Sequence, residues 1–278
     1  MRLCTFITDE GMECIGIVMG GSILISLAYN DMTDLICNYD KEKILDSIQQ
    51  PKKTFSIENL KFMAPVTKPS KMIFVGLNYR DHAEETNNSL PACPVLFAKY
   101  SNSLTGHGQN VIIPKETKQC DYEAELAVVI GKKARNVSPQ EAMEYVFGYT
   151  ACNDVSARDI QVQTSQWLRG KAIDTFAPMG PVLVTKDEIK DPRNLNILCR
   201  HNGIVRQKSN TKMLVFDIPN LVSFISKTMT LEPGDIISTG TPAGVILSMK
   251  DPVWLKKGDV CEVEIDGIGT LRNTFVEE

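Results

Sequence analysis

The chain has 278 residues, 43% hydrophobic and 23% charged, with a formal net charge of −4. That length buries a full core, as one large domain or a large domain with a small one. The mild acidity gives no electrostatic reason to expect nucleic acid or an anionic membrane as partner, and no apolar run reaches the roughly eighteen residues of a membrane span.

In chain order, Leu3 to Ile7 and Cys14 to Val18 are expected to pair around the Asp9-Glu10-Gly11 turn, with Ser22 to Leu27 as a third strand. A helix over Lys41 to Gln49 follows, and Pro65-Val-Thr-Lys-Pro69 marks a boundary. This gives a small β-rich unit over 1–66 and a larger unit over 67–278. In the larger unit, strands are expected at Met72–Val75, Val95–Ala98, Glu125–Ile130, Val146–Ala151, Gly180–Val184, Ile197–Arg200, Asp235–Thr239 and Val260–Ile265. Two helices are expected. One covers Ser138 to Tyr145, with Ser138 and Glu141 as a capping box; the other covers Asp217 to Thr228. Strands outnumber helices, which favours a β-rich α+β fold. The eight cysteines are scattered with no C-x-x-C pair, as expected for reduced thiols in a cytoplasmic protein. The N-terminus does not resemble a signal or transit peptide.

Three carboxylates draw attention. Leu126 to Ile130 is apolar at every position and reads as a strand buried on both faces. Glu123 and Glu125, two apart, face the same way beside it, where unpaired charge is costly. With Asp154 they form a hard oxygen set that suits Mg²⁺ or Mn²⁺ rather than zinc. The competing reading is a solvated strand end whose glutamates pair with lysines.

His82 and Glu85 lie three apart in Asn78-Tyr-Arg-Asp-His-Ala-Glu-Glu85. On a helical turn they share a face, and a carboxylate-held histidine suits a general base. An exposed helix with incidental charges is the alternative. His107 and His201 lack such company and read as structural. Lys99, Arg158 and Lys171 are basic residues in polar or glycine contexts that would balance the carboxylates and bind an anion. Ser238-Thr-Gly-Thr-Pro-Ala-Gly244 leaves a strand with hydroxyls and amides suited to a carboxylate. It lacks the Lys-Ser/Thr ending of a nucleotide-binding loop.

In this order, Val-Gly-Leu-Asn-Tyr-Arg-Asp-His82, Pro-Val-Leu-Phe-Ala-Lys99, Asp121-Tyr-Glu-Ala-Glu-Leu-Ala-Val-Val-Ile-Gly, Asn-Asp154-Val-Ser-Ala-Arg-Asp, Arg-Gly-Lys171 and Leu-Glu-Pro-Gly-Asp-Ile-Ile-Ser-Thr-Gly-Thr-Pro resemble the fumarylacetoacetate hydrolase family. The likeness runs from about Lys71 to Phe275. It implies a catalytic fold built on a rolled mixed β-sheet, usually a homodimer, with Mg²⁺ or Mn²⁺ held by Glu123, Glu125 and Asp154. His82 and Glu85 match the dyad of the hydrolytic members, and Lys171 matches a catalytic position. Arg158, Gln161 and Thr241 match positions lining the substrate pocket.

The implied activity is metal-dependent cleavage of a carbon–carbon bond in 2,4-dioxo acids (acylpyruvates), giving pyruvate and a carboxylic acid. Decarboxylation of oxaloacetate would use the same enolate. The alternatives are an isomerase or decarboxylase of 2-hydroxyhepta-2,4-dienedioate-type intermediates, and a catalytically silent member that binds 2-oxo acids. The expected partner is a small 2-oxo acid.

Overall fold

The computed structural model describes residues 1–20, 23–49, 51, 53–57, 60–85 and 89–278. The first part of the chain forms β1 (Arg2–Ile7), β2 (Glu13–Met19), β3 (Ile23–Leu27), α1 (Met32–Cys37), α2 (Lys41–Gln49), β4 (Thr54–Ser56) and β5 (Lys61–Phe62). β1 and β2 pair as expected, with Gly11 in the turn at φ 79°. The third expected strand is β3; its first expected residue, Ser22, lies outside the described residues.

Next come β6 (Met72–Gly76), α3 (Arg80–Glu85), β7 (Val95–Lys99), β8 (Leu104–Thr105) and β9 (Asn110–Ile113). They lead to β10 (Cys120–Asp121), β11 (Ala124–Ile130), β12 (Val146–Asn153), β13 (Ser156–Ala157), α4 (Arg158–Gln161), α5 (Leu168–Lys171) and β14 (Ala177–Thr185). The chain closes with β15 (Asn196–His201), β16 (Ile204–Asn210), α6 (Ile218–Ser226), β17 (Ile236–Ser238), β18 (Val260–Ile265) and β19 (Gly269–Glu277).

The fold is a β-rich α+β arrangement on a mixed sheet. The large sheet runs β4-β3-β2-β1-β14-β12-β11-β17-β6-β7, and a smaller one runs β16-β15-β18-β19-β9. β17 pairs parallel to β6, whereas β11, β12 and β14 pair antiparallel. β1 joins the large sheet through β14, so strands before and after residue 66 share it; the division at 66 stays a proposal about folding units. One continuous apolar core joins Val128, Tyr149 and Val184 of the large sheet to Ile197, Val263 and Phe275 of the small one. β11 lies at the centre and is buried along its whole length, because strands flank both its edges and apolar residues cover both its faces. At the tip of β15–β16, Asn202 and Gly203 have φ of 52° and 77°, the geometry that a two-residue Asn-Gly hairpin requires.

One expected helix does not form. Residues 138–145 contain only a 3₁₀ turn over Ala142–Glu144. Ser138 Oγ is bonded to Glu141 Oε2 at 2.6 Å, but the backbone closes i→i+3 bonds, Glu144 N to Glu141 O and Tyr145 N to Ala142 O. The Tyr145 carbonyl is taken by Gly131 N–H, and the chain passes straight into β12. The bond of this segment to Gly131 and its run into β12 override its local capping signal. The other expected helix is α6, where Asp217 caps Asn220 N–H at 3.1 Å.

Candidate active site

The register of β11 and β12 assembles the carboxylates. Ala124 stands opposite Asn153 and Glu125 opposite Cys152. Asn153 Oδ1 accepts the Glu123 N–H at 2.9 Å, and Asp154 N–H donates to the Glu123 carbonyl at 2.8 Å. Asp154 is thereby held against the glutamates. One carboxylate oxygen from each of Glu123, Glu125 and Asp154 lies within 4.8 Å of the others, and all three residues are buried.

Their partners differ. Asp154 meets Lys99 Nζ at 2.5 Å and Lys171 Nζ at 2.8 Å. Glu123 meets Arg158 Nη2 at 2.5 Å and Lys171 Nζ at 2.7 Å. Glu125 accepts neutral donors, Ser238 Oγ at 2.5 Å and Gly240 N–H at 3.0 Å. Gly240 has φ 99°, and a Cβ there would lie 2.9 Å from both Asn78 Cβ and the Val75 carbonyl, so only glycine presents this amide.

Electrostatics follow the partners. Burial, reinforced by Asp154 and Glu123, pushes the Glu125 carboxyl well above its usual range. Burial would also raise Glu123, but Arg158 and Lys171 outweigh it and hold that carboxyl well below its usual range. For Asp154 burial prevails over Lys171 and Lys99, and its pKa is raised. Burial opposes the Lys171 charge, yet Asp154 and Glu123 prevail and keep it an ammonium. Lys99 shifts the other way because burial outweighs Asp154.

A divalent cation fits this set. The cluster offers hard oxygens without sulfur or imidazole, and among the described residues no cation pairs directly with Glu125. Counting Asp121, four buried carboxylates face three buried cations, Lys99, Arg158 and Lys171. A bound divalent ion reverses that balance and makes the pocket receptive to an anion.

Short helices supply two of the cations, and β7 supplies Lys99. Arg158 and Gln161 lie on α4 and Lys171 on α5, with Arg158 Nη1 donating to Gln161 Oε1 at 3.0 Å. A Cβ at Gly170 would lie 2.6 Å from the Gln161 backbone, so glycine lets α5 come close enough to insert Lys171.

His82 and Glu85 share a face of α3, with Nδ1 and Oε2 3.6 Å apart. Both Glu85 oxygens accept Gly244 N–H at 3.1 Å, and the Gly244 carbonyl accepts the Tyr122 hydroxyl at 3.2 Å. The loop from Ser238 to Gly244 thus holds carboxylates as its composition suggests, but the ones it holds are the protein's own, Glu125 and Glu85.

The groups converge on a cavity of about 220 Å³. Of the nine residues singled out for metal, catalysis and substrate, all except Glu85 and Asp154 line it, with Phe97, Trp167 and Leu247 as apolar walls. That volume is below the roughly 300–1,000 Å³ of drug-sized pockets and suits a small acid. His201 and His107 stand apart in structural roles. His201 pairs with Asp259 at 3.1 Å, and His107 Nδ1 accepts Arg272 N–H at 3.1 Å.

Sequence reasoning gave no role to Asp121. Its carboxylate accepts Arg158 Nε and Ile246 N–H, each at 2.8 Å, and Leu247 N–H at 3.1 Å, tying the guanidinium to the cavity wall. The signal was available, because Asp121, Glu123 and Glu125 repeat at the strand period of two. Gln207 and Trp167 carried no such signal; distant segments bring them to the site.

Residues 71–276 match the family model described as fumarylacetoacetate (FAA) hydrolase C-terminal. An oxaloacetate tautomerase of Rattus norvegicus, mitochondrial by name, is 50% identical over 216 residues, covering 77% of this chain and 69% of that protein. Among solved structures, a fumarylacetoacetate hydrolase from psychrophilic Exiguobacterium antarcticum superposes with a TM-score of 0.90 at 36% identity over 100% of both chains. A maleylpyruvate hydrolase from Sphingobium gives 0.84 at 31% identity, again over 100% of both. The shared fold, the match over most of the chain and the ordered site motifs make this chain a member of the fumarylacetoacetate hydrolase family.

Proposed function

We propose that this chain enolises a small 2-oxo acid, with oxaloacetate as its substrate, in the cavity between β11, α3 and α5. The observation that carries this reading is Lys171, a buried ammonium held between Glu123 and Asp154 at the wall of a small cavity that also presents His82. The name of the rat relative supports the choice of oxaloacetate.

The chemistry follows from the side chains. His82 lines the cavity with Nδ1 turned toward Glu85, and its imidazole is the base that takes a proton from C3 of the substrate. As that C–H bond breaks, C2=C3 forms and negative charge moves onto the 2-oxo oxygen. The Lys171 ammonium stabilises that charge, and its raised pKa keeps it protonated while it does so. Protonation on oxygen gives the enol, and protonation on carbon returns the keto acid. Arg158 and Thr241 face the same cavity and suit the substrate's carboxylates. Bound by Glu123, Glu125 and Asp154, a divalent cation such as Mg²⁺ or Mn²⁺ supplies Lewis acidity toward a carbonyl oxygen.

The His82–Glu85 pair supports a second reading, hydrolysis of acylpyruvates, in which His82 deprotonates an attacking water. Decarboxylation of oxaloacetate would pass through the same enolate. A panel of oxaloacetate, acetylpyruvate, fumarylpyruvate and a dienoate, assayed with Mg²⁺ or Mn²⁺, separates these readings. The first predicts that enolisation of oxaloacetate is fastest, read as exchange of the C3 hydrogens in D₂O, and that His82→Ala slows it about a hundredfold or more. Faster cleavage of acetylpyruvate puts the hydrolase first. A cytoplasmic location and a homodimer belong to the same proposal; fractionation and sedimentation test them, and the rat relative's mitochondrial name makes the first worth measuring.

A further inference from the structure

Gln207 lies on β16 of the smaller sheet and is wholly buried. Its side chain nevertheless reaches both the metal-ligand strand and the loop beyond β17. The Ala124 N–H, between Glu123 and Glu125, donates to Gln207 Oε1 at 2.9 Å. Nε2 donates to the Pro242 carbonyl at 2.8 Å and to Thr241 Oγ1 at 2.8 Å.

The amide has only one orientation that works. A backbone N–H can only donate and a carbonyl can only accept, so the oxygen must face Ala124 and the NH₂ must face Pro242. Both amide hydrogens are then committed, one to Pro242 and one to Thr241. Thr241 Oγ1 is therefore an acceptor toward Gln207, and its own proton must be donated elsewhere. Among the described residues no acceptor takes that proton, while Thr241 lines the cavity beside His82, Arg158 and Lys171.

We infer that Gln207 is a positioning residue that fixes Thr241 as a hydrogen-bond donor toward an anionic oxygen of the substrate. The inference rests on reading the cavity as a 2-oxo acid site, and it deepens that reading. A hydroxyl can donate or accept, and alone it would suit a neutral carbonyl, a water or a carboxylate alike. With one of its two lone pairs occupied from behind, the Thr241 proton is turned into the cavity, which favours an acceptor such as a carboxylate. The same amide holds the Pro242 carbonyl, so the loop and the hydroxyl are set by one side chain anchored between two metal ligands.

The test is calorimetric binding of oxalate, a small dianion resembling a 2-oxo acid enolate, to the full chain in Mg²⁺, with thermal unfolding measured alongside. Gln207→Glu keeps the shape and the Ala124 bond. Ionised or protonated, it offers Thr241 an acceptor and draws the hydroxyl proton out of the cavity. Gln207→Leu loses all three hydrogen bonds but supplies no competing acceptor. Oxalate affinity is expected to fall about tenfold in Gln207→Glu and in Thr241→Val. It falls less in Gln207→Leu and Thr241→Ser, although Tm falls most in Gln207→Leu. A purely structural role would make affinity follow Tm, and that order overturns the inference. Unchanged affinity in Thr241→Val overturns it too, even if Gln207→Glu does not fold. Oxalate bound in the expected order by a chain inert toward oxaloacetate sinks the substrate reading and leaves the Thr241 donor standing.

Discussion

The chain places two glutamates two residues apart on a strand twice, in Glu123-Ala-Glu125 at β11 and in Glu262-Val-Glu264 on β18, and the two pairs behave oppositely. Each pair shares one face of its strand. On β18 that face is partly solvated, and Cys261, Val263 and Ile265 alternate with the glutamates into the core. Glu262 meets Arg272 at 3.1 Å and Glu264 meets Arg200 at 2.6 Å, both across neighbouring strands. Around Glu125 every residue of β11 is buried, so the protein must neutralise or use the charge. It neutralises Glu123 with Arg158 and Lys171 and leaves Glu125 to Ser238 and Gly240. The spacing is the same in both places; burial on both faces turns a surface ion-pair pattern into a carboxylate cluster that could hold a metal ion.

The largest expected effect probes the unpaired glutamate. Glu125→Ala should abolish binding of Mg²⁺ or Mn²⁺ in a calorimetric titration and lower turnover at least about a thousandfold. Because the substitution also removes a buried carboxyl whose charged form burial disfavours, the fold should tolerate it. Metal-dependent turnover near the wild-type level would mean that the β11 pair is structural after all.

Lys171→Met comes next and acts on both stability and chemistry. It strips Glu123 and Asp154 of a shared partner, leaving Arg158 on one and Lys99 on the other. Losing one member of a buried pair costs about 3 kcal/mol, which denaturant unfolding should show. Losing the ammonium beside a developing oxyanion should slow enolisation about a hundredfold to a thousandfold. A variant that lost stability but kept its rate would leave Lys171 a counter-ion and nothing more.

Much of this contrast was legible before any coordinates. The unbroken run Leu126–Ile130 announced a strand with no solvent face, and the alternation in Val260–Ile265 announced one with a wet side. The Glu123–Glu125 face, the His82–Glu85 face and the Asn202-Gly203 turn could be read from spacing, because each depends on local geometry, whereas Asp154, distant in the chain, was tied to the glutamates by the family resemblance. Residues 138–145 misled for the opposite reason: a locally good capping box sits in a segment that the sheet draws straight into β12, beginning with the Gly131 N–H to Tyr145 carbonyl bond. Gln207 was not legible at all. Its meaning depends on a hairpin of one sheet reaching β11 and the loop after β17 in the other, which no local pattern in Arg206-Gln-Lys208 encodes. Lys99 was recognisable as a cation, but its bonds to Val155 and Phe176 carbonyls required the fold.

The smallest expected effect makes the comparison most exacting. Glu262→Gln and Glu264→Gln should each change stability by less than about 0.5 kcal/mol, since exposed pairs gain little Coulomb energy in water and must hold long side chains still. Arg272 is 53% exposed and Glu264 39%, so solvent screens both pairs. The loss should shrink further as salt is raised to 1 M, where the Debye length is about 3 Å. Neither change should alter metal binding or turnover. A divalent ion captured by Glu262 and Glu264, or a cost for either variant approaching that of Lys171→Met, would show that spacing outweighs burial in deciding what paired glutamates do in this fold. The solvated face of β18 argues otherwise: there water hydrates a charge that burial disfavours at Glu125.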